Sequence, residues 1–177
     1  FPPDAAPDPA PPVPRPRSDR VLLAGRLTDM KGVGFAAEAV ARAAADLGRR
    51  LTLVVAGDGP GRERLRADVE RLGQPAEFLG WVGSDRRNAE MRAADVLLVP
   101  SVWPEPFGLT IAEAMACGRA VVVSSAGGAA ELFTDGHDAL GVPPGDADRL
   151  AAAVRRLAED PGLRTRLGAN ARATAES

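Results

Sequence analysis

Two carboxylates, two cations and one glycine-bearing helix start are the groups here that could do chemistry. Glu105 and Glu113, spaced Glu-x7-Glu, flank a change of pattern. Before them, Asp95-Val-Leu-Leu-Val99 is a short apolar run with the length and β-branching of a buried parallel strand. Pro100 stops it, and a loop with Pro104, Pro106 and Gly108 follows. From Leu109 the period turns helical, with Leu109, Ala112, Met115 and Ala116 expected on one apolar face. Gly118 ends that helix, and Ala120–Val123 starts another strand. A loop at a strand's carboxyl end thus opens onto a helix N-terminus, where open α/β sheets take their ligands. Free amides around Phe107, Gly108, Leu109 and Thr110, with about half a positive charge from the helix dipole, call for an anion. A carboxylate near such an end is also an ordinary helix stabiliser, so Glu113 has two readings.

The first strand, Val21–Ala24, is followed by Gly25-Arg-Leu-Thr-Asp-Met-Lys-Gly32. A dinucleotide-binding domain would carry Gly-x-Gly-x-x-Gly here. This turn carries Arg26 and Lys31 instead. With a switch point between the first and fourth strands, the loop faces Glu105–Thr110 across the crevice. A guanidinium fork, an ammonium and a helix end then converge as a diphosphate site. Either cation alone reads as a solvated surface charge; the pair in that loop points to the site. Lys31 is the single lysine beside 21 arginines, which points to a place where a compact ammonium is needed, with chance as the other reading.

The elements that must hold these groups alternate. Helix is expected over Phe35–Leu47, strand over Leu51–Ala56, and a tight turn over Gly57–Gly61 before a helix to Leu72. Strand Ala76–Leu79, loop Gly80–Gly83 and a helix Ser84–Ala94, capped by Ser84 or Asp85, come next. After the central strand, helix and strand, Gly127-Gly128 leads into a short helix through Phe133, and Ala139–Val142 is a last strand. Asp146 caps a helix to about Glu159, and Pro161 starts another. The fold class is therefore α/β: a Rossmann-like, doubly wound parallel sheet of about six strands with helices on both faces. Residues 20–177 form this domain. Residues 1–19 read as a proline-rich linker or domain-crossing segment, since residues 2–16 hold eight of the sixteen prolines.

At 177 residues and a net charge of −2, the chain suits one domain and gives no argument for nucleic acid. No apolar run is long enough to span a membrane. The single cysteine, Cys117, allows no internal disulfide and fits a reducing compartment, taken as the cytoplasm. The chain starts at Phe1, as a piece of something longer would. Other patterns carry less. Gly57-x-Gly-x-Gly61, with Glu77 twenty residues on, follows the second strand and lacks the spacing of the third glycine, so it reads as a tight turn that lines a pocket. Asp146-Ala-Asp148 reads as a helix cap, and no metal site is expected. His137 reads as a loop residue.

Taken in order from about residue 21 to 150, these pieces resemble the C-terminal, donor-binding domain of retaining glycosyltransferases of the GT-B architecture, glycosyltransferase family four or group 1. The matching pieces are Gly25-Arg-Leu with Lys31-Gly32, the turn ending at Pro60, Phe78-Leu-Gly80, Asp95 and its strand, Pro104–Thr110, Glu113–Ala116, Gly127-Gly128 with Glu131, and Asp135-Gly136. The ordered set is specific although no single piece is.

The resemblance implies that Arg26 and Lys31 hold the diphosphate of a nucleotide-diphosphate sugar and stabilise it as it leaves. Glu113 accepts hydrogen bonds from ribose hydroxyls. Glu105 and the amides of Phe107, Gly108 and Leu109 hold the donor sugar and distal phosphate, with Gly25, Pro106 and Thr110 in the same donor site. Gly57 and Trp81–Val82 border the nucleobase. It further implies metal-independent transfer with retention, no cofactor beyond the donor, and an acceptor domain N-terminal to this one, without which the chain is inactive. A nucleotide-sugar epimerase of the same architecture and a non-catalytic nucleotide-binding domain are the alternatives; Glu-x7-Glu with Phe-Gly-Leu-Thr favours the transferase. One departure stands out: where the family has Asn- or Thr-Gly, this chain has Asp138-Ala139, which bears on the local backbone of that turn rather than on activity.

Overall fold

The structure, a computed structural model, describes residues 19–104, 108–125 and 127–177. Most of the expected proline-rich segment, and Glu105, Pro106 and Phe107, lie outside the described residues. Six strands form one parallel sheet: β1 (Arg20–Ala24), β2 (Thr52–Ala56), β3 (Ala76–Gly80), β4 (Val96–Val99), β5 (Ala120–Ser124) and β6 (Leu140–Val142). Their spatial order is β3-β2-β1-β4-β5-β6. The order reverses between β1 and β4, the switch point expected from the sequence. Leu22 sits opposite Val54 on one side and Leu97 on the other.

The two-residue strand period sorts the core into two layers. Val21, Leu23, Leu53, Val55, Val96, Leu98 and Val122 face α1 (Val33–Leu47), α2 (Arg62–Arg71) and α5 (Ala147–Glu159). Leu22, Val54, Leu97, Val99, Val121 and Val123 face α3 (Ser84–Ala93) and α4 (Leu109–Ala116). The last helix, α6 (Pro161–Ala175), contributes to both, with Leu163 and Leu167 in the first layer and Ala171 in the second. Nearly continuous apolar strands follow from burial on both faces.

Three expectations need correction. The buried face of α4 is Ile111, Ala114 and Met115; Leu109, Ala112 and Ala116 are exposed and Met115 alone was placed rightly. An eight-residue helix that is apolar nearly all round has no polar stripe to set its phase. At α3 the N-cap is Gly83, and neither Ser84 nor Asp85 caps the helix. The segment after Gly127 is a short 3-10 turn over Gly128–Glu131 that stops before Phe133, and a second such turn, Asp29–Lys31, was not foreseen. Asp146 does cap α5, accepting from the Arg149 amide at 2.9 Å. The Asp138 departure also resolves: its buried carboxylate accepts from the Thr134 amide at 2.7 Å and the Thr174 hydroxyl at 2.9 Å. The side chain closes the turn and ties it to α6.

One glycine sets how closely α6 lies on the rest. A Cβ at Gly168 would come within 2.4 Å of the Gly118 carbonyl oxygen, at the end of α4. Replacing an ordinary helix-interior glycine by alanine stabilises by about 0.5–1 kcal/mol. Here the added methyl meets backbone, so Gly168→Ala is expected to destabilise instead, by about 1–3 kcal/mol. Denaturant unfolding of the two proteins reads the sign; a more stable variant would show that the helices are not held at this distance.

Candidate donor-binding site

The site is built from the first βα loop upward. Gly25 leaves β1 with φ of 127°, and its amide donates to the Ala56 carbonyl at 2.9 Å. Leu27 donates to the Asp58 carbonyl at 3.0 Å and accepts from the Gly61 amide at 2.9 Å. The Gly57–Gly61 turn therefore serves as a mould for the loop that carries Arg26 and Lys31. The contact is backbone on backbone: a Cβ at Gly57 would stand 1.8 Å from the Gly25 oxygen, and one at Gly59 would stand 2.4 Å from the Leu27 oxygen. The dinucleotide-like glycines are explained by this close approach.

Across the switch point the loops after β1 and β4 are joined. The Val102 amide donates to the Met30 carbonyl at 2.9 Å. Gly32, with φ of 69°, lies so close to Pro100 that a Cβ would meet its carbonyl oxygen at 1.9 Å. Further along, a Cβ at Gly127 would come within 2.6 Å of Pro104 Cβ, so the Gly127-Gly128 segment backs the start of the Pro104–Gly108 loop.

A cavity of about 220 Å³ opens at this junction. Its wall brings together Gly25, Arg26, Lys31 and Thr110 from the expected set, with Pro100, which was not in that set. Arg26 is exposed and has no ion pair or hydrogen bond among the described residues. Lys31 is half-buried at the end of the 3-10 turn. Gly108, with φ of 54°, is the N-cap of α4 and offers no capping side chain. Its carbonyl takes the Ile111 and Ala112 amides at 2.8 and 3.1 Å, which leaves the Leu109 and Thr110 amides without a protein partner among the described residues. Those are the orphan donors an anion or water would take up.

The other expected residues that the structure describes lie outside this wall. Gly57 is behind Gly25 and Val82 is half-buried in the loop before α3. Leu109 is 73% exposed. Glu113 stands one turn beyond Thr110 on the same helix face, and it is not an isolated carboxylate. Arg87 Nη2, from α3, donates to Glu113 Oε1 at 2.6 Å. The sequence reading missed Arg87. Its signal was an arginine in the opening turn of a helix, where the dipole disfavours a cation.

Among the described residues no three His, Cys, Asp or Glu side chains gather as metal ligands, and no helix is long and apolar enough to cross a membrane. Burial pushes the Cys117 thiol up, which disfavours the thiolate.

The family model for glycosyl transferases group 1 matches residues 8–174. The chain belongs to that family. It is 36% identical over 154 residues to an uncharacterized glycosyltransferase of Methanocaldococcus jannaschii, covering 86% of this chain and 39% of the relative. It is 38% identical over 139 residues to a 2-deoxystreptamine glucosyltransferase of Streptomyces kanamyceticus, covering 77% of this chain and 35% of the relative. The crystal structure of Anabaena HepE in complex with UDP-glucose superposes with a TM-score of 0.81 at 32% identity, over 90% of this chain and 44% of that one. This group 1 chain thus spans well under half the length of these relatives. Its six-stranded sheet is the Rossmann-like domain of a GT-B glycosyltransferase, and the resemblance read from the motifs holds.

The mould under the first loop makes a test of the site's architecture. Gly57→Ala is expected to push the Gly25–Leu27 backbone off its present path, with a loss of about 1–3 kcal/mol in stability. Nucleoside diphosphate affinity should fall by more than the unfolded fraction accounts for. Calorimetric titration alongside thermal melting checks it; unchanged affinity would free the loop from the turn.

Proposed function

We propose that this chain is the donor-binding half of a retaining glycosyltransferase that moves a sugar from a nucleotide-diphosphate sugar to an acceptor without a divalent metal. The observation that carries the reading is the convergence of Arg26, Lys31 and Thr110 on one cavity at the switch point, beside the uncapped start of α4. Arg26 and Lys31 grip the diphosphate and, with the α4 amides, stabilise the charge that gathers on it as the glycosidic bond breaks. Glu105, with Pro106, Phe107, Gly108 and Leu109, holds the sugar and distal phosphate. Glu113 takes the ribose hydroxyls, and Gly57 and Val82 border the base. The Anabaena HepE complex with UDP-glucose supports a uridine nucleotide as the first donor to test.

Acceptor chemistry belongs to an N-terminal domain in this proposal, and residues 1–19 are the segment that leads from it. All four exposed large apolar side chains among the described residues support a second half. Met30, Trp81, Trp103 and Leu109 stand on the loops and helix start at the carboxyl end of the sheet, as on a face that closes against another domain. The lone Cys117 favours a reducing compartment, and the cytoplasm is the location proposed.

The chain alone should bind uridine diphosphate in the presence of a chelator and transfer no sugar. Calorimetry with and without the chelator decides the first point: binding that vanishes with the chelator removes the metal-free site. Transfer assayed with the chain alone decides the second.

Lys31 gives the sharper test. Lys31→Ala should weaken the diphosphate more than the monophosphate, and Lys31→Arg should not restore it, because the planar fork is larger and aims its donors differently. In the full-length enzyme both should lower turnover more than donor affinity. Wild-type behaviour from Lys31→Arg would mean that any cation serves.

A further inference from the structure

Glu113 and Arg87 form the contact in this structure that the proposed chemistry leaves unexplained. They stand on different helices, α4 and α3, and meet through one bond, Nη2 to Oε1, at 2.6 Å. A bidentate pair would occupy both carboxylate oxygens. Here Oε2 has no partner among the described residues. Arg87 is itself held by packing: its Nε is buried and has no hydrogen-bond partner among the described residues. The guanidinium therefore has one useful direction, toward Glu113.

Neither residue is well explained by its own helix. Arg87 is the fourth residue of α3, near the positive end of the dipole, where a neutral or acidic side chain would be favoured. Glu113 is the fifth residue of α4, beyond the first turn over which the dipole rewards a carboxylate. Their side chains are 32% and 39% exposed, so solvent screens the pair and it adds little to folding. What the contact does fix is orientation. One oxygen of Glu113 is anchored, and the other is left open one turn from Thr110, which lines the cavity.

We propose that Arg87 is a positioning residue: it pins Glu113 Oε1 so that Oε2 accepts from the vicinal ribose hydroxyls of the donor, and so sets the preference for ribonucleotides. This rests on the reading of Glu113 as the ribose-binding carboxylate. Arg87 does not touch the nucleotide. It acts by holding the carboxylate in one rotamer before the ligand arrives, so that less orientational freedom is lost on binding.

The test is a double-mutant cycle on the full chain, with uridine diphosphate and its 2′,3′-dideoxy analogue as probes. If uridine diphosphate binds weakly, the tightest of the other common nucleoside diphosphates and its dideoxy form take its place. Glu113→Gln is expected to cut the ribo-over-dideoxy preference by roughly tenfold or more. Arg87→Met keeps the apolar stem and removes the guanidinium; it should cut that preference about three- to tenfold, spare the dideoxy analogue, and leave the melting temperature nearly unchanged. The double variant should be no worse than Glu113→Gln alone, since both act through one carboxylate. Arg87→Lys should recover part of the preference. If Glu113→Gln loses the preference and Arg87→Met keeps it, the positioning role is overturned and the ribose reading stands. Equal losses for both nucleotides from Arg87→Met also overturn it, by placing Arg87 on the nucleotide itself. If Glu113→Gln keeps the preference, the ribose reading fails and the role of Arg87 falls with it.

Discussion

Main chain packed on main chain at the carboxyl edge of the sheet is the constraint on which the site depends. The carbonyl of Gly25 occupies the space where any other residue at position 57 would carry its Cβ. The same holds for Leu27 against Gly59 and for Pro100 against Gly32. Each contact removes a side chain so that two loops can share one wall. Arg26 and Lys31 thereby ride on a loop whose path is set from below by the Gly57–Gly61 turn and from the side by the end of β4. Glycines normally loosen a chain, since they lose the most conformational freedom on folding. Here they are the condition for a loop that two neighbouring segments hold in place.

The elements were legible because most strands are compact apolar runs bounded by glycine, proline or a charge, and because strand and helix alternate from β1 to β5. The central strands were legible for the same reason: Val21–Ala24, Val96–Val99 and Ala120–Val123 are wholly apolar, as strands covered on both faces should be. What failed was phase and partner. In α4 the run Leu109–Ala116 has one charged residue in eight, so nothing in it says which way Ile111 points. The choice is made by the layer of Leu97, Val121 and Val123 beneath it, which the local pattern does not contain. The caps at α3 failed because Ser84 and Asp85 are good capping residues that the chain places one and two residues past the cap position. For the candidate site, Gly25, Arg26, Lys31 and Thr110 were singled out by type and loop, and they line one cavity. Arg87 was missed because its meaning lies 26 residues away, on another helix.

The helix starts carry a second regularity. Four successive helices, α1 to α4, have glycine at the N-cap and no side-chain cap: Gly32, Gly61, Gly83 and Gly108. The last two are capped by carboxylates, Asp146 and Asp160. Glycine at this position costs only a few tenths of a kcal/mol against serine or aspartate, so the chain gives up little stability by leaving those amides open. The four open ends all lie at the carboxyl edge of the sheet.

Charge then separates the two helices at the switch point from their neighbours. Uncapped α2 and α3 have Glu63 and Asp85 in the first turn, which offset their dipoles. Neither α1 nor α4 has an acidic residue there. Each brings about half a positive charge, undiminished, to the crevice that Arg26 and Lys31 already face. The nearest acid on α4 is Glu113, one turn further in, and Arg87 meets its charge. A bare carboxylate at that distance would subtract from the field on which an anion depends. In the proposed site, the ion pair that would orient Glu113 would also keep its charge from opposing a diphosphate at the start of the helix.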